Sequence, residues 1–221
     1  MVLARLGWAR RDRGNLPGYT FALNLTSTKP PALHEGGFID YGGAGSTYYY
    51  SRTRMILTGT LEDNGTRKTV TGEAWFDHQW GNFFTVSTGG WDWFSAHLTD
   101  GSDFTIYLIR GDDKQITGSL GTFVDPDGRA TNIPFGNFQV DVLGSWTSPR
   151  TGVTYPSGWR VTLPDRNLTL TWTPVIPDQE LDTRRSTANI YWEGEVTIAG
   201  TRNGTPVTGQ GYVELTGYDQ K

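Results

Sequence analysis

The chain contains no cysteine, two methionines and three histidines among 221 residues. The absence of cysteine excludes disulfides, thiol nucleophiles, and iron–sulfur or zinc centres with cysteine ligands. It does not fix the compartment, because extracellular domains can also do without disulfides. With so few histidines a histidine-rich metal site is not expected, although a mixed histidine and carboxylate site stays open. We predict no metal and no other cofactor.

Long apolar runs and clusters of basic residues are also missing. No stretch approaches the roughly 20 apolar residues that cross a bilayer, and residues 1–20 lack the apolar segment of a secretory signal. The formal net charge is -4, and the basic cluster at 10–13 is small. Nucleic acids and anionic membranes attract more basic surfaces. We therefore predict no nucleic-acid partner and no integral membrane segment, while the compartment and the oligomeric state stay open.

The chain does contain a repeated two-residue alternation of β-branched and aromatic residues with polar ones. Turn sequences such as DNG at 63–65 and DPDG at 125–128 interrupt it, and no segment has the 3.6-residue period of an amphipathic helix. The pattern predicts an all-β fold, an antiparallel barrel or sandwich. We predict strands at 19–27, 47–61, 67–77, 90–99, 102–110, 115–124, 137–143, 157–163, 168–174, 189–199 and 207–217.

Two segments are too rich in glycine and proline for strand interiors, residues 29–45 and 148–158. We interpret both as long loops. Loops of this length on a β-scaffold often close over a ligand, so His34 and Tyr41 are candidates for a lid. A solvated loop with a surface histidine is the alternative.

Chemically active side chains concentrate between residues 75 and 101. These 27 residues contain three acids, two histidines and four tryptophans. Because Asp and His are costly to bury without a partner, such a cluster indicates an active or binding site rather than a core. Acids beside tryptophan faces also suit proton transfer and the stabilisation of a cation.

Strand alternation gives this cluster a geometry. It places Trp91 and Trp93 on one face of their strand and Asp92 on the other, apolar face. A carboxyl group there either has a firm hydrogen-bond partner or has a pKa raised towards neutrality, which would suit a general acid. By the same rule Asp77 and His78 point to opposite faces, so they cannot form one acid–base couple with each other.

A second polar face is predicted near the C-terminus. In the segment 189–200, alternation places Tyr191 and Glu193 on the same face. Glu195 shares this face, and the segment 211–218 repeats the pattern with Tyr212, Glu214 and Tyr218. If these faces line a barrel interior they could supply acids, and Tyr191 and Glu193 are the candidates for substrate binding. A plain solvent-facing strand is the alternative interpretation.

The ordered motifs of the chain resemble a known family. They include STYYYSRTRMILTGTL (46–61), GEAWFDHQWG (72–81), GWDWFSAHLTDG (90–101), PDQELDT (177–183) and YWEGEVTIAGTRNG (191–204). Together they are similar, over nearly the whole chain, to the hydroxyneurosporene synthase family, the acyclic carotenoid 1,2-hydratases with their lipocalin-like relatives. The resemblance implies antiparallel lipocalin-like β-barrels in two domains. The domains are 1–87, a partial barrel because family members are normally longer, and 88–221, a complete one.

The resemblance also implies a reaction, the cofactor-free addition of water to a C=C bond of a small apolar isoprenoid. In these hydratases a tryptophan of the DHxW motif, an aspartate and a tyrosine look essential. The tryptophan corresponds to Trp80, and we nominate Asp92 and Tyr107 for the other two. The candidate residues are catalytic Asp77, His78, Asp92 and Tyr107, and substrate-binding Trp75, Trp80, Trp91, Trp93, Tyr191 and Glu193. A non-catalytic lipocalin-like binder of an apolar ligand and a pericyclase of the same fold stay open as alternatives.

Overall fold

The structure is a computed structural model that describes residues 8–41, 44–82, 89–186 and 189–219. The regular secondary structure in these ranges is antiparallel β-strand, apart from a short 3-10 turn at Pro164–Arg166. All the strands predicted from the sequence coincide with observed ones. No helix in the described part of the chain is long and apolar enough to cross a membrane. The predicted all-β antiparallel fold is confirmed.

The first sheet, called here the N-terminal sheet, is built around one long strand. Its five strands are β1 (Ala9–Leu16), β2 (Tyr19–Ser27), β3 (Ala32–Asp40), β4 (Ser46–Asp63) and β5 (Thr66–Asn82). Strand β5 pairs along one edge of β4, while β2 and β3 lie end to end along the other edge. The β4–β5 turn uses the predicted Asn-Gly pair, in which Asn64 and Gly65 have φ of 46° and 81°.

The second sheet, the C-terminal sheet, has ten strands in the order β10-β13-β14-β16-β17-β6-β7-β8-β9, with β15 paired to β16. Strands β11 and β12 form a separate small hairpin. The bounds are β6 (Trp91–Leu98), β7 (Asp103–Arg110), β8 (Ile116–Val124), β9 (Ala130–Ile133), β10 (Gln139–Val142), β11 (Ser145–Thr147), β12 (Thr154–Pro156), β13 (Trp159–Leu163), β14 (Leu168–Pro174), β15 (Glu180–Asp182), β16 (Ile190–Arg202) and β17 (Thr205–Thr216).

One hydrophobic core lies against the inner face of the C-terminal sheet. Phe94 of β6 packs edge-on against Trp159 of β13 and Trp172 of β14, with ring centroids 5.7 Å apart in both pairs. Ile133 of the terminal strand β9 belongs to the same buried cluster. Since strands from both ends of the sheet share one core, the sheet curls into a lipocalin-like barrel beside the smaller N-terminal sheet.

The loop predicted at 29–45 is instead largely strand β3, and that prediction was wrong. The pairing of β3 with β4 shifts register between Leu33 and Phe38. The intervening Gly36 and Gly37 have φ of 73° and 96°, so the glycines permit a bulge rather than ending the strand. His34, expected on a lid, is buried with 2% of its surface exposed.

The other strands missed by the sequence prediction are short or charged. β9, β11, β12 and β15 contain three or four residues each, and β12 lies within the predicted loop at 148–158. β1 has the sequence ARRDRGNL and forms a sheet edge, where charged residues are tolerated. The predicted domain boundary between residues 87 and 88 falls outside the described residues.

A buried ion cluster joins the two sheets. Asp103 of β7 is fully buried, and its carboxylate accepts from Lys29 Nζ at 2.7 Å, Arg54 Nη2 at 2.7 Å and Thr53 Oγ1 at 3.0 Å. All three donors belong to the N-terminal sheet or its β2–β3 connection. A buried carboxylate offsets its lost hydration only when several donors reach it, as they do here.

We expect Asp103→Ala to lower the free energy of unfolding by about 3–5 kcal/mol, because it leaves the buried Lys29 ammonium without its counter-charge. Urea denaturation monitored by tryptophan fluorescence measures this change. The control is Asp12→Ala, which breaks an exposed ion pair with Arg10 and should cost less than about 1 kcal/mol. Equal losses in the two variants would contradict a special role for the cluster.

Candidate functional site

A cavity of about 830 Å³ lies between the two sheets. Its floor is the outer face of β6, β7, β16 and β17, and its opposite wall is formed by β4 and β5. Alternation along β6 explains this placement, because Phe94 and Ala96 fill the barrel core while Trp91, Trp93 and Ser95 point outward into the cavity. The volume is in the range of small-molecule binding sites.

Aromatic side chains from both sheets meet in this cavity. Trp93 Nε1 donates to the hydroxyl of Tyr49 at 3.1 Å, and the rings of Trp75 and Trp93 lie edge to face at 6.0 Å. The hydroxyls of Tyr41 and Tyr107 are 3.2 Å apart. Tyrosine and tryptophan present a flat apolar surface and a polar atom together, which suits a ligand that is mainly apolar.

Asp77 of β5 is held in the cavity wall by hydrogen bonds. Trp75 Nε1 donates to its Oδ1 at 2.7 Å, and the Ser51 hydroxyl donates to the same oxygen. The side chain is reachable from the cavity mouth, yet protein atoms surround it closely on its other sides. This desolvation raises the pKa of Asp77 to about 6, while the donors from Ser51, Trp75 and Tyr49 oppose the rise.

A second carboxyl group faces the cavity from the C-terminal sheet. Glu214 of β17 lies directly opposite Glu193 of β16 and next to Trp93 in the strand register. Burial raises the pKa of Glu214 to about 7, with the negative charge of Glu193 adding to the rise. Asp77 interacts with it electrostatically in the same direction. A hydrogen bond from Trp91 opposes the rise at Glu214. Burial thus raises the pKa of both facing carboxyl groups.

His97 supports the aromatic wall. Its Nε2 hydrogen-bonds the carbonyl of Thr53 across the sheets, and its ring stacks on Trp75 at 5.6 Å. Burial lowers the pKa of His97, while nearby carboxylates oppose the shift. Its Nδ1 lies 3.4 Å from Glu73 Oε2, so contacts on both ring nitrogens hold His97 against Trp75.

The cavity lining is acidic and carries no lysine or arginine among the described residues. Its acids are Glu73, Asp77, Glu193, Glu195 and Glu214. Such a lining disfavours an anionic ligand and stabilises positive charge, especially beside aromatic faces. In the described ranges no group of three or more His, Asp and Glu residues is arranged to hold a metal ion.

The structure brings together six of the residues predicted from the sequence. Asp77 and Tyr107 from the catalytic set line the cavity, together with Trp75, Trp91, Trp93 and Glu193 from the binding set. His78, Trp80, Asp92 and Tyr191 do not line it. As alternation predicted, Asp77 and His78 lie on opposite faces of β5.

Asp92 lies on the opposite face of β6 from the cavity. Its Oδ1 accepts from Arg110 Nη1 at 2.5 Å, and the Tyr218 hydroxyl donates to its Oδ2 at 3.0 Å. Burial raises the pKa of Asp92, and the Arg110 guanidinium opposes that rise. The prediction that Asp92 donates a proton to a ligand in this cavity is therefore corrected. Asp92 points away from the cavity and is paired with the buried Arg110.

His78 and Trp80 lie on the outer face of the N-terminal sheet. The rings of Tyr50 and His78 stack at 5.5 Å, those of Tyr48 and Trp80 stack at 5.4 Å, and Trp80 is 46% exposed. Cross-strand pairing of β4 with β5 creates these contacts. The two DHxW residues thus belong to an aromatic cluster on the face away from the cavity.

Tyr49 and His97 were not candidates from the sequence, and Glu214 was only a possible acid on the second polar face. His97 shares the outward face of β6 with Trp93, so alternation alone could have added it. The position of Glu214 beside Trp93 could be recognised only from the register that pairs β17 with β6. Tyr49 lies in a run of three tyrosines, and no local signal separates the inward-facing one from its neighbours.

The two sheets, the curled barrel and the cavity define an all-β protein of the lipocalin-like class. The chain belongs to the AttH-like family, whose profile matches residues 8–218. This confirms the lipocalin-like fold predicted from the motifs, while the family shown is AttH-like and the predicted membership of the carotenoid hydratases is not confirmed. The family match does not identify a carotenoid as the substrate.

Individual relatives support the same assignment. A solved structure assigned to AttH from Nitrosomonas europaea superposes with a TM-score of 0.86 at 34% identity, covering 97% of this chain and 67% of that one. Kievitone hydratase from Nectria haematococca superposes with a TM-score of 0.78 at 21% identity, covering 93% and 64%. Kievitone hydratase from Fusarium solani subsp. phaseoli is 24% identical over 218 residues, and the chain spans 59% of its length.

The raised pKa of Glu214 predicts a pH-dependent effect of its removal. The folded-state pKa of about 7 lies above the ordinary value of 4.5, so folding binds a proton in this window and stability falls as pH rises through it. Glu214→Gln removes that loss. We expect its melting temperature to exceed that of the parent by roughly 2–4 °C at pH 8, with the gain disappearing near pH 4.5.

Calorimetry at the two pH values tests this. The control is Glu62→Gln on β4, outside the cavity, which should change the melting temperature little at either pH. A gain of equal size at both pH values would contradict the titration of Glu214.

Proposed function

We propose that this protein is a cofactor-free hydratase that adds water to a C=C bond of a mainly apolar small molecule. The observation that carries the proposal is the pair of carboxyl groups, Asp77 and Glu214, presented to one aromatic cavity by opposing sheets. Burial raises the pKa of both groups, to about 6 for Asp77, where three hydrogen bonds oppose the rise, and to about 7 for Glu214, where the charge of Glu193 adds to it. Such pairs mark the acid and the base of a proton-transfer reaction.

Glu214 is the proposed acid. Burial and the neighbouring charge of Glu193 favour its neutral form near pH 7, so the carboxyl carries the proton that an alkene carbon must receive. The proton forms a new C–H bond with the alkene π electrons, and the positive charge develops on the more substituted carbon. Glu214 becomes a carboxylate in this step.

Asp77 is the proposed base. Hydrogen bonds from Ser51 and Trp75 favour its ionised form, which can accept a proton from water as the water oxygen bonds to the cation. The alkene thereby gains one H and one OH, and the proton taken up by Asp77 balances the proton given by Glu214. Exchange through solvent at the cavity mouth restores both groups.

The remaining lining stabilises the cation between these steps. The faces of Trp75 and Trp93 provide cation–π stabilisation, and the absence of lysine and arginine from the described lining removes opposing charge. Tyr107 and Tyr41 supply hydroxyls that orient a polar group of the substrate. Trp91 and Glu193 complete the proposed binding surface. No part in the reaction is proposed for His78, Trp80, Asp92 or Tyr191.

The substrate class follows from the relatives and from the lining. The name kievitone hydratase of the 24% identical relative supports a hydro-lyase reaction. A branched isoprenoid alkene forms the tertiary cation that such a cavity stabilises best, so we propose a terpenoid or prenylated substrate, with acyclic carotenoids as one member. The proposed domains 1–87 and 88–221 would each contribute one carboxyl group, which makes the reaction depend on both.

The test is incubation with squalene, neurosporene and a prenylated phenol in heavy-oxygen water, followed by mass spectrometry. We expect one labelled oxygen to be incorporated into at least one of these compounds. Glu214→Gln and Asp77→Asn should each lower the rate about 10²-fold or more, the range for loss of an acid or base. Glu62→Gln serves as the matched control. Incorporation that persists in both cavity variants would overturn the assignment.

A non-catalytic lipocalin-like binder is the second candidate. It is favoured because Asp92, the acid suggested by the family resemblance, is paired with Arg110 and does not face the cavity. It predicts that these compounds quench cavity tryptophan fluorescence without any incorporation of label. A pericyclase would convert a polyene without taking up label at all, so the same mass measurement separates it from the hydratase.

A further inference from the structure

A buried chain of hydrogen bonds leads away from Asp77 into the interface between the sheets. The Ser51 hydroxyl donates to Asp77 Oδ1, His34 Nε2 lies 2.7 Å from Ser51 Oγ, and His34 Nδ1 lies 2.8 Å from Thr122 Oγ1. Ser51, His34 and Thr122 are each at most 2% exposed. The chain links β5, β4, β3 and β8, so it spans both sheets.

The donors and acceptors in this chain have one consistent direction when Asp77 is ionised. A carboxylate only accepts, so the Ser51 proton points to Asp77, and Ser51 Oγ must receive a proton from His34. Burial lowers the pKa of His34 to about 3, so its ring is neutral and carries a single N–H. That proton is therefore on Nε2, and bare Nδ1 accepts from the Thr122 hydroxyl.

The burial of His34 fits this reading better than a packing role. A neutral imidazole with both nitrogens engaged is fully satisfied, whereas an apolar residue here would leave the buried Ser51 and Thr122 hydroxyls short of a partner. Its ring also packs on Tyr49 at 4.1 Å. Tyr49 hydrogen-bonds Asp77, and Glu214 interacts electrostatically with the same carboxyl group.

We propose that His34 and Ser51 are positioning residues that orient a hydroxyl donor onto Asp77 and so keep it ionised as the base of the site. His34, fixed as its Nε2–H tautomer by Thr122, turns the Ser51 proton towards the carboxylate. This assignment deepens the proposed hydratase function and rests on it for its catalytic meaning. The hydrogen-bond direction itself can be measured without any turnover.

The first test is nitrogen-15 NMR of the imidazole rings in the intact protein. We expect His34 to remain neutral between pH 5 and pH 8, with a pyrrole-type Nε2 and a pyridine-type Nδ1. Detection of the Nδ1–H tautomer or of an imidazolium in this range would overturn the proposed direction.

The second test is carbon-13 titration of the Asp77 carboxyl in four variants. Ser51→Ala and His34→Phe should each raise the pKa of Asp77 by about one unit, because the oriented donor is lost. Ser51→Thr keeps a hydroxyl, and His34→Gln keeps one donor and one acceptor. Both conservative variants should return the pKa towards that of the parent. An unchanged pKa in Ser51→Ala and His34→Phe would overturn the proposal.

These readouts separate the two hypotheses. If the tautomer and the Asp77 titration behave as expected but no substrate is hydrated, the positioning role stands and the hydratase proposal fails. If hydration occurs, Ser51→Ala should lower kcat about tenfold with little change in KM, and Ser51→Thr should recover it. Folding of each variant is checked by its amide NMR spectrum, so a misfolded variant is recognised before its titration is interpreted.

Discussion

The architecture depends on β6 having two packed faces. One face contributes Phe94 and Ala96 to the barrel core, and the other presents Trp93 and Ser95 to the N-terminal sheet. A strand between two layers cannot slip by one residue, because a slip would exchange its core and cavity side chains. The cavity, its acids and the contact between the sheets all follow from that fixed register.

Buried carboxyl groups lie between the two sheets, and their surroundings differ. Asp103 is fully buried, and cationic and hydroxyl donors from the opposite sheet reach its carboxyl group. Glu214 sits beside another acid with no such cation and is driven towards its neutral form. At Asp77, desolvation raises the pKa while donated hydrogen bonds lower it. The partners of each carboxyl group thus set its environment, and they underlie the proposed roles of Glu214 as acid and Asp77 as base.

Much of the fold was readable from the sequence, because strand alternation and turn residues are local. The predicted strands were all found, and alternation alone placed Asp77 and His78 on opposite faces of β5. The errors have two causes. The glycines in 29–45 were interpreted as the mark of a loop although they form a bulge within β3, and charged β1 was overlooked because an edge strand does not need an apolar face.

The sequence by itself determined the strand pattern, the lipocalin-like relationship and the concentration of tryptophans and acids between residues 75 and 101. It even placed Asp92 on the apolar face of β6. Only the tertiary structure decided that this face meets Arg110 within the barrel, while Glu214, more than a hundred residues away, comes beside Trp93 in the cavity. The physical reason is that pKa, burial and hydrogen-bond partners are properties of neighbours in space. In an antiparallel sheet those neighbours are set by register across distant strands rather than by spacing along the chain.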